Sequence, residues 1–249
     1  MTRTILWLIL ATGIALTARA ADPSALWHIV HDRCVPDEQA HHNPVPCAAV
    51  NLAGGYAVLK DIVGNTQYLL IPTARVGGIE DKAILAPGAP NYFADAWQAR
   101  SYVDQRAGHD LPRDDISLAI NSLYGRTQDQ LHIHIDCIRP DVRAALAQHE
   151  AAVGPRWSEF PVPLAGHRYR AMRLVQPELG STNPFDVLAA QVPQPQMGSH
   201  TLVLVGANFD GTPGFILLDD RADLATGDNG SGELLQDHSC ALARSSPTG

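Results

Sequence analysis

Hydrophobic and polar positions alternate strictly along residues 130–136, which read Gln-Leu-His-Ile-His-Ile-Asp. Because successive side chains of a β-strand point to opposite faces, this pattern predicts a strand with three aliphatic residues on a core face. The other face then carries a row of polar groups: Gln130, His132, His134 and Asp136. One histidine on such a strand would be ordinary, but two imidazoles flanked by an amide and a carboxylate indicate a functional site.

Further strands and helices follow from the same kind of pattern. We expect strands at 55–60, 67–72, 116–121, 167–175, 201–205 and 215–218. Helices are expected at 27–35, 91–104, 141–152 and 183–191, and an exposed loop at 36–46. The strand at 116–121 should pair with the histidine strand, and the last two strands should form a hairpin around Asp210-Gly211. Antiparallel hairpins with helices laid across them indicate an α+β fold.

Composition and charge narrow the function classes. The chain has 249 residues with 45% hydrophobic and 18% charged content, which suits one large globular domain or two small ones. Its formal net charge is −8 and it contains no long basic run, so nucleic acid is not an expected partner. An anionic substrate would need a local positive pocket.

The N-terminus has the layout of a secretory signal, with Arg3, an apolar run over residues 5–18 and the small-x-small site Ala18-Arg19-Ala20. An apolar run of 14 residues is shorter than the ~20 that a membrane-spanning helix needs, so we expect cleavage after Ala20. An uncleaved signal anchor stays open as the alternative. Cleavage would remove two arginines and change the formal charge from −8 to −10.

Four cysteines in an exported chain predict two disulfides. Three pairings are possible, and we favour Cys34–Cys47 and Cys137–Cys240. The first would close the loop rich in proline and histidine, and the second would tie the histidine strand to the C-terminal tail. No C-x-x-C spacing supports metal ligation instead.

The segment Gly125-x-Thr127-x-x-x-Leu-His132-Ile-His134-Ile resembles the signature of the histidine triad superfamily of nucleotide hydrolases and transferases. The alignment puts Gln130 at the first histidine of the triad, His132 at the middle one and His134 at the third. The departure at Gln130 affects ring positioning more than the reaction, since the middle histidine is the nucleophile in that superfamily.

Asp61 alone would be assigned to turn chemistry, in which a carboxylate bonds its own backbone. The resemblance changes that assignment, because the superfamily has an acidic residue after its first strand that holds the nucleotide ribose. It is followed there by a strand ending in Ile-Pro, as Ile71-Pro72 does here.

Within that superfamily the chain resembles the bacterial CDP-diacylglycerol pyrophosphatase family across nearly its whole exported body. The segments that carry this resemblance are Cys34 to Cys47, Tyr68 to Thr73, Pro90-Asn91, Trp97 to Arg100, Leu118 to Ser122, Cys137 to Arg143, Gly166-His167 and Gln236 to Cys240. It implies a HIT-like α+β domain over residues 21–249, an antiparallel β-sheet with packed helices, with its core at about 50–153 and an extension at about 154–249. It also implies hydrolysis of CDP-diacylglycerol to CMP and phosphatidate at a membrane surface, in the periplasm or on the periplasmic face of the inner membrane.

The resemblance assigns a role to each candidate residue. His132 attacks the phosphorus attached to cytidine, and water then releases CMP, with no metal or other cofactor expected. His134 and Thr127 are assigned to catalysis with His132. Substrate binding is assigned to Asp61, Asn121, Arg126, Gln128 and Gln130.

Two other function classes remain open. His132-x-His134-x-Asp136 also begins the zinc motif of metallo-β-lactamase-like hydrolases, although Cys137 stands where that motif has its last histidine. An exported module that binds a nucleotide or lipid without turnover is the other. The part from Trp157 onward would be a lid, a lipid-facing surface or a degenerate second half of the fold, and His167, His200 and His238 are structural or functional.

Overall fold

The computed structural model describes residues 22–245, and the predicted N-terminal signal at 1–20 lies outside these described residues. The strands are β1 (Ala49–Asn51), β2 (Tyr56–Lys60), β3 (Tyr68–Pro72), β4 (Ile116–Ile120), β5 (Ile133–Cys137), β6 (Ser158–Glu159), β7 (Arg170–Leu174), β8 (His200–Phe209) and β9 (Thr212–Arg221). The α-helices are α1 (Ala25–Ile29), α2 (Val35–His41), α3 (Tyr92–Ala99), α4 (Ser101–Ala107), α5 (Pro140–Gln148), α6 (Pro184–Ala189) and α7 (Ala241–Ser245). A π-helical turn, Val30–Cys34, joins α1 to α2, and short 3-10 helices lie at Lys82–Leu85, Arg113–Asp115, Glu150–Ala152, Gln194–Ser199 and Gly232–Leu235.

All of these strands join one antiparallel sheet in the order β1-β2-β3-β5-β4-β8-β9-β7-β6. The α+β class is therefore confirmed. The strand order contains one arrangement twice, as β2-β3-β5-β4 and as β6-β7-β9-β8. In each group the last strand in sequence lies between the second and the third, and β4 pairs with β8 where the groups meet.

The predicted hairpins and the histidine strand pair are confirmed. Strands β2 and β3 pair with Val58 opposite Leu70, and β4 and β5 pair with Leu118 opposite Ile135. The β8–β9 hairpin turns through Asp210 and Gly211, whose φ angles are 49° and 82°. Two central residues at positive φ are what a tight hairpin turn requires, because their twist matches that of the strands.

The sheet separates two layers of core. Helices α3 and α6 cover one face, where Phe93 contacts Phe185 and Trp97 contacts Phe215 at ring-centroid distances of 5.1 Å and 4.9 Å. Trp97 is 1% exposed, so truncation to alanine would cost about 3–5 kcal/mol of stability. Helix α5 packs on the opposite face through Val142, in the same cluster as Ala119 of β4.

Some element boundaries differ from the prediction. Residues 36–41, expected as loop, are helical because Pro36 stands in the first turn of α2, where a missing N–H costs nothing. The strand at 130–136 begins only at Ile133, since the backbone N–H of Leu131 donates to the carbonyl of Val76 instead of joining a ladder. The strand predicted at 167–175 begins at Arg170, after a tight turn that ends at His167.

Both predicted disulfides, Cys34–Cys47 and Cys137–Cys240, are present with Cα–Cα distances of 5.7 Å and 5.3 Å. Disulfides of this kind are typical of exported proteins. Within residues 22–245, no helix combines the length and the apolar character that crossing a bilayer demands.

Candidate active site

The histidine strand places its polar row as the alternation predicts. Ile133 and Ile135 point into the core shared with α3, while His134 and Asp136 lie on the opposite face, following His132. That face is not open to solvent: His132, His134 and Asp136 are 7%, 4% and 0% exposed. Residues 228–240, which we call the tail segment, cover His134 and Asp136. His132 lies beside Gly78 and Arg126 instead, and its ring is reached by the charge of Glu233 in the tail segment.

His132 is held in one tautomer by its own backbone. Its Nδ1 lies 2.7 Å from the carbonyl oxygen of Gln130, and a carbonyl can only accept, so Nδ1 carries the proton. Burial lowers the pKa of His132 below its usual 6.5, although the hydrogen bond to Gln130 and the charge of Glu233 oppose this effect. The ring is therefore neutral near pH 7, with its lone pair on Nε2.

His134 lies beside it, with the two ring centroids 4.8 Å apart in an edge-to-face arrangement. The side-chain amide of Gln67 lies 2.8 Å from its Nδ1, while Nε2 is buried and has no hydrogen-bond partner. Burial, with additional repulsion from His132 and His238, puts the pKa of His134 well below 6.5. With Nδ1 accepting from the amide, Nε2 carries a proton that no group of the described chain accepts.

Glu233, in the tail segment, is a site residue that the sequence did not indicate. Its carboxylate accepts hydrogen bonds from Gln67 (3.1 Å) and from the side chain of Asn121 (2.8 Å), and it lies 3.3 Å from Nδ1 of His134. Gly232 lets this segment lie against the sheet, because a Cβ there would come within 2.7 Å of the hydroxyl of Thr201. Nothing in the local sequence, Gly-Ser-Gly-Glu, suggests such a role.

Asp136 belongs to a structural network at the far end of β5. It accepts hydrogen bonds from Thr66 (2.6 Å), from the backbone N–H of Cys137 (2.9 Å) and from Nδ1 of His238 (2.9 Å). The hydrogen bond from His238 to Asp136 raises the pKa of His238 above 6.5. Together with the Cys137–Cys240 disulfide, these contacts fasten the tail segment over the histidines.

Comparison with known proteins places the chain in a family. A profile of the CDP-diacylglycerol pyrophosphatase family matches residues 21–244. A CDP-diacylglycerol pyrophosphatase from Yersinia pestis is 44% identical over 254 aligned positions, which cover 97% of this chain and 97% of the relative. The chain belongs to the CDP-diacylglycerol pyrophosphatase family. The resemblance to this family stated from the sequence is thereby confirmed, and the histidine strand, the tail segment and both disulfides lie inside the match.

In this CDP-diacylglycerol pyrophosphatase family member, three of the predicted binding residues lie next to His132. Asn121, Arg126 and Gln130 line a small depression with His132 and Gly78. The Arg126 guanidinium donates to both oxygens of Glu80, at 2.6 Å and 2.7 Å, and its side chain is only 7% exposed. The positive charge of Arg126 is thus paired with Glu80, and the two hydrogen bonds hold the guanidinium in one orientation.

The side-chain amides of two predicted binding residues, Gln130 and Gln128, bond backbone groups that are distant in sequence. The side chain of Gln130 donates to the carbonyls of Pro72 and Ala74, so its contact with His132 is made by its backbone. Gln128 is bonded to the backbone of Asp22 and Leu26, in the N-terminal segment.

The two remaining predicted residues lie in loops. Thr127 is exposed. Asp61 accepts from the N–H of Val63 at 3.0 Å, and its charge also acts on His132 and His238, so it has both a turn bond and a place near the site.

Proposed function

We propose that this chain hydrolyses the diphosphate of CDP-diacylglycerol, giving CMP and phosphatidate through a covalent nucleotidyl-histidine at His132. The family of the chain supports the substrate. The observation that carries the mechanism is the hydrogen bond between Nδ1 of His132 and the Gln130 carbonyl, because it leaves a neutral ring with its lone pair on Nε2. Neutral imidazole is a competent nucleophile toward phosphorus.

The reaction proceeds in two displacements. Nε2 of His132 attacks the phosphorus attached to cytidine, the bond from that phosphorus to the bridging oxygen breaks, and phosphatidate leaves with the bridging oxygen. Water then attacks the cytidylyl phosphorus, the P–N bond breaks, and CMP and neutral His132 are released. A phosphate leaving group needs little protonation, so neutralising charge on the phosphoryl oxygens matters more than a strong general acid.

His134 is the group best placed to stabilise that charge. Its buried Nε2–H lacks a partner, and leaving a buried donor unpaired costs about 1–3 kcal/mol, which a phosphoryl oxygen would offset. We assign Asn121 to orienting the phosphate. Arg126 is assigned to contacting it, because Arg126 lines the depression beside His132 and its buried Nε has no hydrogen-bond partner among the described residues. Asp61 is proposed for the ribose, and Thr127, Gln128 and Gln130 for contacts that form when the substrate enters.

The reaction is proposed to be metal-independent. A metal-dependent hydrolase using His132, His134 and Asp136 is the alternative, but all three Asp136 contacts described above come from donors, which argues against its use as a ligand. We also propose export to the periplasm or the periplasmic membrane face, with residues 1–20 as signal or anchor. The two disulfides support export, and N-terminal sequencing of the mature protein tests it.

The test of the mechanism measures CMP release from CDP-diacylglycerol in detergent micelles, with a chelator present, for the wild type, His132→Ala and His109→Ala. His109 is exposed and outside the site, so its variant is the matched control. We expect full activity of the wild type and the control, and a loss on the order of 10³-fold or more in His132→Ala. Alkaline quenching should trap a cytidylyl adduct only where His132 is present.

Each alternative gives a different result. A metal-dependent hydrolase would lose activity in chelator and regain it with Zn²⁺ or Mn²⁺. A binding module would bind CDP-diacylglycerol saturably and release no CMP. Normal turnover by folded His132→Ala would overturn the nucleotidyl-histidine mechanism itself.

A further inference from the structure

A second cluster of reactive side chains lies in the other four-strand group, away from the histidine strand. A cavity of ≈ 950 Å³ opens near the end of β9, and its lining includes His167, Asp220 and Asp228. Ligand atoms of these three residues lie within 4.8 Å of one another. None of them takes part in the proposed reaction.

Each of the three residues is fixed by local backbone structure. Asp220 is in β9, and His167 ends a tight turn in which it exchanges two backbone hydrogen bonds of 2.9 Å with Leu164. Asp228 exchanges two backbone hydrogen bonds with Asp223, and its Oδ1 accepts from the N–H of Gly230 at 2.8 Å. The cluster is thus preorganised, as a ligand site must be.

The charges in this cluster are not balanced. Asp220 is 6% exposed, and no group within residues 22–245 donates a hydrogen bond to its buried Oδ2. The preceding residue, Asp219, is also a buried carboxylate, but its oxygens accept hydrogen bonds from His200 at 2.7 Å and from the guanidinium of Arg170 at 2.9 Å.

Asp228 is bonded to His167, with Oδ2 and Nδ1 2.8 Å apart, and brings a second carboxylate next to Asp220. Two carboxylates that close together need either a shared proton or a cation between them.

We propose that His167, Asp220 and Asp228 bind a divalent cation whose remaining coordination positions face the cavity. One imidazole with two carboxylates suits a first-row transition ion such as Mn²⁺ or Zn²⁺ better than Ca²⁺, which takes six to eight oxygen ligands. A cation at this position would coordinate the buried oxygen of Asp220 and neutralise the charges of both carboxylates. This site is independent of the proposed function.

The position of Asp228 connects this site to the rest of the molecule. Asp228 begins the tail segment, whose next residues accept hydrogen bonds from the hydroxyl and the N–H of Ser122 at the end of β4. Five residues after Asp228, Glu233 reaches His134. A cation at Asp228 therefore anchors the start of the segment that covers the histidines.

Calorimetric titration of the purified, chelator-stripped chain with Mn²⁺, Zn²⁺, Mg²⁺ and Ca²⁺ tests the site. The variants are Asp220→Asn, His167→Ala and Asp223→Asn. Asp223 is an exposed carboxylate on the same cavity whose turn bond an asparagine can keep, so it is the control. We expect one Mn²⁺ or Zn²⁺ per wild-type chain, binding about tenfold weaker or worse in Asp220→Asn and His167→Ala, and within about twofold of wild type in Asp223→Asn.

Thermal unfolding gives a second measurement that does not depend on activity. At 100 times Kd, the cation should raise the Tm of the wild type and of Asp223→Asn by roughly 5 °C or more, and leave Asp220→Asn unchanged. Absence of saturable Mn²⁺ or Zn²⁺ binding below millimolar concentration would mean a proton-sharing carboxyl pair only, and would overturn the proposal. Equal binding by folded Asp220→Asn, or tighter binding of Ca²⁺ than of Mn²⁺, would also contradict it.

Discussion

The two four-strand groups of the sheet differ in what covers corresponding strands. Strands β5 and β9 are each the inserted strand of their group, and both carry reactive groups on the same face of the sheet. The strand register shows that the faces are the same: His134 of β5 pairs with Ala119 of β4, Ala119 with Val203 of β8, and Val203 with Leu218 of β9. Asp220 lies two residues after Leu218 and therefore points to the same face. His134 of β5 lies under the tail segment, whereas Asp220 lines a cavity of ≈ 950 Å³.

Burial favours the neutral form of the titratable groups at both sites, but these groups are imidazoles at one site and carboxyls at the other. Burial favours the neutral forms of His132 and His134, which the proposed nucleophile and the proposed hydrogen-bond donor need. At β9, burial raises the pKa of the Asp220 carboxyl, so this group needs either a proton or a bound cation. The strand arrangement is shared, whereas the reactive residues and the segment that covers them differ. The tail segment follows the second group in sequence but completes the site of the first.

The largest expected effect comes from releasing the tail segment at its disulfide. Replacing Cys137 and Cys240 by serine should cost about 4–5 kcal/mol of unfolding free energy, since the bond closes 103 residues. Replacing Cys34 and Cys47 should cost about 3 kcal/mol, since that bond closes 13 residues. Urea unfolding measures both values.

Activity separates the two disulfides further. Only the Cys137/Cys240 variant should lose CDP-diacylglycerol hydrolysis below its unfolding temperature, because only that bond holds His238 and the tail segment over β5. Equal activity of the two double variants would show that the tail segment keeps its place without the covalent link.

The next effect concerns Glu233, the tail residue that contacts the histidines. Glu233→Gln keeps the shape but presents an amide to donors from Gln67 and Asn121, so His134 should lose its orientation. Misplacement of a positioned group by about 1 Å costs up to ~10²-fold, and we expect a fall of kcat in that range with a smaller change in KM. Glu159→Gln, on the exposed edge strand of the other group, is the control and should change neither.

The sequence predicted the components whose signal is local. Alternation over seven residues was enough to place His132 and His134 on one face, and turn residues located the hairpins. Glu233 could not be found in this way, because it lies 99 positions after His134 and reaches the site only through the packing of the tail segment.

Positions where a side chain bonds distant backbone also escaped prediction. Gln128 stays a proposed substrate contact, and its amide also pairs with the backbone near residue 22, more than 100 positions away, which no local pattern indicates. Residues 130–132 were expected in the strand, but Gln130 and Leu131 bond the segment at 72–76 instead. Periodicity describes which face a residue occupies and carries no information about such long-range partners.

A smaller effect is expected from Gly232, where the tail segment lies closest to the sheet. A Cβ added there would meet Thr201 at 2.7 Å and Val203 at 2.8 Å, so Gly232→Ala should cost about 1–3 kcal/mol of stability and lower kcat by displacing Glu233. At Gly154 a Cβ would meet nothing within 4 Å, so Gly154→Ala is the matched control. If both variants unfold at the same urea concentration, the close approach of the tail segment is not a constraint.

The smallest effect is a shift in pH dependence, and it tests whether the cover acts on His132 itself. Burial lowers the pKa of His132 below 6.5, so the acid limb of kcat/KM should lie below pH 6.5, with activity lost as the ring protonates. The carboxylates of Glu233 and Asp61 act in the opposite direction, since negative charge favours the protonated ring. Removing either charge lowers the pKa of His132 further.

The acid limb should therefore move to lower pH in Glu233→Gln and, separately, in Asp61→Asn, whatever happens to the maximum rate. Asp223→Asn, which removes a carboxylate at the other cavity, should leave the limb in place. A merely structural role for Glu233 would change the height of the profile without moving its limb. A limb that moves toward higher pH in Glu233→Gln would instead mean that exposure of His132 outweighs the lost charge, and that the tail segment acts first as a barrier to water.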